Sequence, residues 1–124
     1  MTARRPDFTR PALAHRRRRR NHAGMKILVL ITPAPGATLA AMAPLLPDET
    51  RHVWAAYAAG GLREMYLLGG GRPGAVLVYE AADLESVRRE AAGLPLVKSG
   101  LALADCIELA PFSSLERLFA APTV

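Results

Sequence analysis

Four apolar runs of strand length, two stretches with helical spacing, and a glycine-rich link between the middle two runs predict an α+β domain with the order β-α-β-β-α-β. That order is the ferredoxin-like split β-α-β arrangement. A short amphipathic stretch at the C-terminus adds a small final helix.

With 124 residues the chain is long enough for one domain and a tail. A folded unit of roughly 100 residues buries about two-thirds of its unfolded surface, which makes a core without staples. The single cysteine, Cys106, excludes an intrachain disulfide, offers no zinc-ligand spacing and fits a reducing, cytoplasmic setting. No apolar run approaches the roughly 20 residues of a membrane span, so no membrane partner is expected. The net charge of +5 is unevenly spread: residues 1–24 carry eight arginines against Asp7, whereas residues 25–124 carry eight basic and ten acidic side chains. The domain is therefore mildly acidic, and the argument for nucleic-acid binding by a basic domain fails.

Residues 1–24, rich in Arg, Pro, His and Asn, read as a disordered tail: a solvated arm, or an extension upstream of a natural start at Met25. Only its run Arg16–Arg20 offers phosphate backbones a weak hold, through counterion release. A signal peptide is not expected, because Ile27–Ile31 is shorter than a typical apolar h-region and cleavage there would remove the first strand.

The domain, residues 25–124, begins with Met25–Thr32, a β-branched run ended by Pro33 and Pro35 and apolar on both faces. Ala34–Leu46 is a loop with one helical turn begun by Thr38. Pro47, Asp48 and Glu49 start a helix, since proline suits the first turn and acids suit the macrodipole. Val53, Trp54, Tyr57 and Ala58 are its expected apolar stripe, and Gly60-Gly61 ends it. Leu62–Leu68 and Ala75–Glu80 form a hairpin across a Gly/Pro cluster. Asp83 caps a second helix carrying Leu84, Val87 and Ala91, stopped by Gly93 and Pro95. Leu101–Leu109 is the fourth strand, and Ser113-x-x-Glu116 is a capping box for a C-terminal helix with Leu115, Leu118 and Phe119.

Two helices cover only one face of a four-stranded sheet, yet the strands are apolar on both. The bare face would exceed the few hundred Å² of apolar patch a monomer tolerates. Covering about 800 Å² per partner removes that liability, so two sheets are expected to pack face to face in a homodimer.

Gly69-x-Gly71-x-x-Gly74 matches a dinucleotide fingerprint in letters only, because that loop must open a helix and this one opens a strand. Arg63, Glu64 and Tyr66 are the sharper signal. Strict alternation puts Glu64 and Tyr66 on one face and Arg63 with Met65 on the other. An acid beside a phenol in an apolar cavity would have its pKa raised by desolvation and suit general acid/base work, and an arginine at the strand entry suits a substrate carboxylate. Asp105, on a strand face with Leu103 and Ile107, is a second candidate acid. Trp54 and Tyr79 are candidates for contacting a substrate, although core is the plainer role for Trp54 and Tyr57. His52 lies nearly opposite the expected stripe and should face solvent. Cys106 reads as a small core hydrophobe. No cluster has metal-ligand spacing, and no cofactor is expected.

The stretch from about Ala58 to Ser114 resembles the muconolactone Δ-isomerase family and its YCII-like relatives. The resemblance rests on Gly61-Leu62-Arg63 entering the second strand, the hairpin into Val76–Tyr79, the helix after Asp83, the Leu94-Pro95-Leu96 turn and the ending Ile107-Glu108-Leu109-Ala110-Pro111. It implies a dimeric α/β barrel whose C-terminal segment, here Ser113–Phe119, reaches a neighbouring subunit. It also implies a cofactor-free proton shift in a small unsaturated lactone or keto acid, with Arg63 at the family's arginine position. Glu64 stands where the family has histidine, so the acid/base falls to Glu64 or Asp105 with Tyr66 as hydrogen-bond donor. A barrel that binds a small ligand without catalysis is the alternative.

Overall fold

The computed structural model describes residues 24–121; the expected Arg-rich tail lies outside them, apart from Gly24. Strand β1 (Met25–Pro33) is followed by a one-turn helix α1 (Leu39–Met42), a 3₁₀ turn (Ala43–Leu45) and the main helix α2 (Leu46–Ala59). The Thr38 hydroxyl caps α1 by accepting from Ala41 N–H at 3.1 Å. At the other end of α2, Gly60 takes a left-handed φ of 93° and donates its N–H to Tyr57.

The hairpin pairs β2 (Leu62–Leu67) with β3 (Ala75–Ala81). Helix α3 (Leu84–Ala92) opens on Asp83, whose carboxylate accepts from Ser86 N–H at 2.7 Å. A further short helix, α4 (Pro95–Lys98), forms where the sequence suggested only a turn; proline sits in its first turn, where the missing N–H costs nothing. β4 (Ala102–Leu109) completes the sheet.

The sheet is antiparallel throughout in the order β2-β3-β1-β4, which is compatible with the ferredoxin-like arrangement. Its register sorts the side chains into two sets. Ile27, Val29, Ile31, Leu77, Tyr79 and Ala102 face the helices and form one core with Ala56, Val87, Ala91, Leu94 and Leu96. On the opposite face stand Leu28, Leu30, Val76, Val78, Leu103 and Ile107. Val78 is buried by its neighbours but lies outside the core cluster, while Leu103 and Ile107 remain 54% and 41% exposed. The apolar second face read from the sequence is thus present on β1, β3 and β4. On β2 it is polar.

Two local expectations are corrected. In α2 the stripe facing the sheet is Glu49, Val53 and Ala56, whereas Trp54 and Tyr57 are 63% and 45% exposed and stack on each other outside, ring centroids 5.8 Å apart. Alanines all around this helix give its periodicity little contrast, so the large aromatics dominated the pattern. At the C-terminus, Ser113–Leu118 is a 3₁₀ turn, and Phe112 precedes it with no side-chain cap. Leu115, Leu118 and Phe119 are exposed. So short a segment needs an apolar surface to fold against, and within the described residues it is not buried on one.

Candidate functional site

A cavity of about 470 Å³ lies between the helices and one end of the sheet. The C-terminal ends of β1 and β2 and the starts of β3 and β4 make its floor; α1 and the first half of α2 make its roof. Ile31, Met42, Val53, Met65, Leu77 and Leu96 are typical of its walls, and exposed Leu39 and Leu67 border it where it opens. Gly74 contributes because no larger residue fits there. Its φ is 138°, and a Cβ would stand 2.6 Å from the Ile31 carbonyl oxygen. The glycine pattern therefore serves the hairpin turn, as the sequence indicated: Gly70 and Gly71 have φ of 68° and 72°.

One carboxylate enters this apolar wall. Glu49 is the only buried charged residue among the described residues. Its Oε2 accepts a hydrogen bond from Leu96 N–H at 3.0 Å, which ties α2 to the first turn of α4. Burial pushes its pKa up, against the opposing pull of that hydrogen bond and of His52. Such a group holds a proton more readily than an ordinary surface carboxylate, and it borders the apolar cavity. By sequence Glu49 is an acid in a first helical turn, where it suits the macrodipole. Its spacing of four and seven from Val53 and Ala56 was the signal that it faces inward.

The strand residues singled out from the sequence fall differently. β2 carries a bulge between Leu62 and Glu64: Leu62 opposes Tyr79 while Glu64 opposes Val78. Two residues of β2 therefore span one step of β3, which breaks the expected alternation. Leu62, Met65 and Leu67 share the parity of the helix-covered face, and Glu64 and Tyr66 that of the open face. Arg63 joins the latter pair, because its guanidinium bridges at 3.2 Å to Glu80 on the open face. The expected separation of Arg63 from Glu64 and Tyr66 is thus corrected, although Met65 does lie opposite them.

Tyr66 donates its hydroxyl to Glu64 Oε1 at 2.9 Å, and both side chains are exposed. That hydrogen bond raises the phenol's pKa. Within one chain, Arg63 and Glu64 do not border this cavity, and Tyr66 alone of the three does so, at the sheet edge. Register places Asp105 in one row with Leu30, Val76 and Tyr66. It stands on the same open face but three strand spacings away, about 14 Å. It is exposed there, and a carboxylate so placed meets water.

The aromatic candidates are not brought to the cavity. Trp54 lies on the outer surface of α2. Tyr79 is 1% exposed in the core, where its hydroxyl has no hydrogen-bond partner among the described residues and burial drives its pKa well up. His52 is exposed, as its wheel position indicated. Cys106 is half-buried on the helix-covered face, and desolvation pushes its thiol up.

Among the described residues no group of three or more His, Cys, Asp and Glu is placed to hold a metal ion, and no helix is long and apolar enough to cross a membrane. No family model matches the chain, and no curated protein matches it.

Proposed function

We propose that this is a small-molecule protein of the isomerase type, moving a proton within an unsaturated lactone or a related carbonyl compound without a cofactor, and that it works as a homodimer. The observation that carries the reading is Glu49, the one buried carboxylate among the described residues, in the wall of a mostly apolar cavity. As a carboxylate, Glu49 takes a proton beside a carbonyl and, as the acid so formed, returns it to another carbon of the conjugated system; desolvation brings its proton affinity closer to that of the carbon acid. Glu49 replaces Glu64 and Asp105 as the preferred acid/base, since neither of those borders the cavity. Arg63 pairs with Glu80 and does not border the cavity.

The second copy is supported by the open face, whose Leu28, Leu30, Val76, Leu103 and Ile107 have no covering helix. Packing two such faces together would form the dimeric barrel implied by the family resemblance, and the exposed apolar side chains of Phe112–Phe119 would find a surface on the partner. The lone cysteine suits a cytoplasmic setting.

The test is proton exchange. The protein is incubated in deuterium oxide with β,γ-unsaturated γ-lactones, and deuterium incorporation and double-bond migration are followed by NMR. Glu49→Gln, which keeps an acceptor for Leu96 N–H, should lower turnover by about a hundredfold or more, whereas Glu64→Gln should leave it in place. Loss of turnover in Glu64→Gln alone would move the site to the open face. Absence of turnover in the wild type would favour the second reading, a non-catalytic ligand-binding protein, which the same cavity supports.

A further inference from the structure

We infer that the cavity is built for a neutral apolar carbonyl compound and rejects carboxylates, so that its substrate class is the uncharged lactone or ketone rather than the organic acid. The inference rests on the proposed reading that this cavity is the working site, and it concerns what the cavity selects. Among the described residues that line it there is no lysine, arginine or histidine. Its polar side chains are Glu49, Thr32, Thr50 and Tyr66, of which the Thr50 hydroxyl donates to the Leu46 carbonyl, that of Tyr66 donates to Glu64, and Thr32 shares the open-face register of Leu103.

A ligand carboxylate entering this space would lose its water shell without gaining a counter-charge, and it would approach a second carboxyl group. An uncompensated buried charge is among the most costly events in a protein interior. The arginine that could have supplied the missing cation, Arg63, is held by Glu80 on the other face of the sheet. A neutral carbonyl oxygen carries no such penalty. The hydrocarbon frame of such a ligand lies against Ile31, Val53, Leu77 and Leu96. The volume of about 470 Å³ is in the range that holds a ligand of one to three fused or linked rings.

Two fluorescent probes sharing one skeleton separate charge from shape: neutral N-phenyl-1-naphthylamine and its sulfonated anionic relative, 8-anilinonaphthalene-1-sulfonate. With the full chain, the neutral probe should bind and the anionic one should bind more than about tenfold more weakly. Leu39→Trp and Leu67→Trp, at exposed border positions where folding is not at stake, should each weaken the neutral probe. Thr50→Arg places a cation at the cavity on an exposed helix position and should narrow the gap by restoring the anionic probe about tenfold.

Equal affinity for both probes, each weakened by the two tryptophan variants, would overturn the ligand class and leave the cavity as the site. Failure of Thr50→Arg to raise the anionic probe would likewise overturn it. Neutral-probe binding that ignores both tryptophan variants, or no binding of either probe, would remove the cavity reading itself and the inference with it.

Discussion

Glu49 and Tyr79 are polar groups placed close to the same core, and the chain treats them in opposite ways. Glu49 receives a backbone N–H from Leu96 and borders the cavity; the Tyr79 hydroxyl is enclosed without a partner among the described residues. The first arrangement has a consequence for stability. Because burial holds the Glu49 carboxyl above its ordinary value of 4.5, the native state binds that proton more tightly than the unfolded chain does. Its contribution is therefore complete below about pH 4.5 and is lost as pH rises through the raised folded value. Glu90, also raised by desolvation, acts with the same sign. The urea midpoint should accordingly fall across that window in the wild type, and Glu49→Gln should flatten part of the fall; an identical slope in the variant would show that Glu49 does not titrate there. At this scale the sequence was a poor guide. Glu49 was visible as an acid in a first turn, where such residues are common. Only its neighbour from a distant segment, the Leu96 N–H, marks it as buried and held, and no local pattern carries that contact.

At the scale of the elements, strand and helix positions were legible because their punctuation is local. Thr38 and Asp83 cap the helices they were expected to cap, and Gly60 ends α2 with the backbone angle that favours glycine. The faces of two elements were not legible. Strict alternation misassigned β2 because the bulge at Arg63 has no side-chain signature, and the stripe of α2 was obscured by alanines. The hairpin makes a testable claim about Gly74. Its left-handed φ and its approach to Ile31 mean that Gly74→Ala should destabilise the protein by about 2 kcal/mol or more, measured by urea unfolding. The same substitution at Gly69, where φ is not left-handed and an added Cβ meets nothing within 4 Å, should change far less. Equal costs at the two sites would mean that the β3 start relaxes to accept a side chain.

For the whole molecule, element order and chain length were enough to anticipate a four-stranded antiparallel sheet with helices on one side. An unpaired apolar face suggested that the enclosed space would lie between two sheets, whereas the space within one chain lies under α1 and α2. The proposed dimer and the proposed ligand site thus occupy opposite faces, and this separates their tests. Leu103→Glu, at a position 54% exposed in the single chain, should shift sedimentation from dimer to folded monomer without touching the cavity wall. A variant that sediments like the wild type would take Leu103 out of the interface. The bulge gives this two-sided sheet one more property. Because Arg63 is the supernumerary member of its step, losing that residue would leave Leu62, Glu64, Met65, Tyr66 and Leu67 each on its present side, whereas losing Met65 or Tyr66, beyond the bulge, would turn the remainder inside out. Position 63 is where this strand can change length without changing its allegiance.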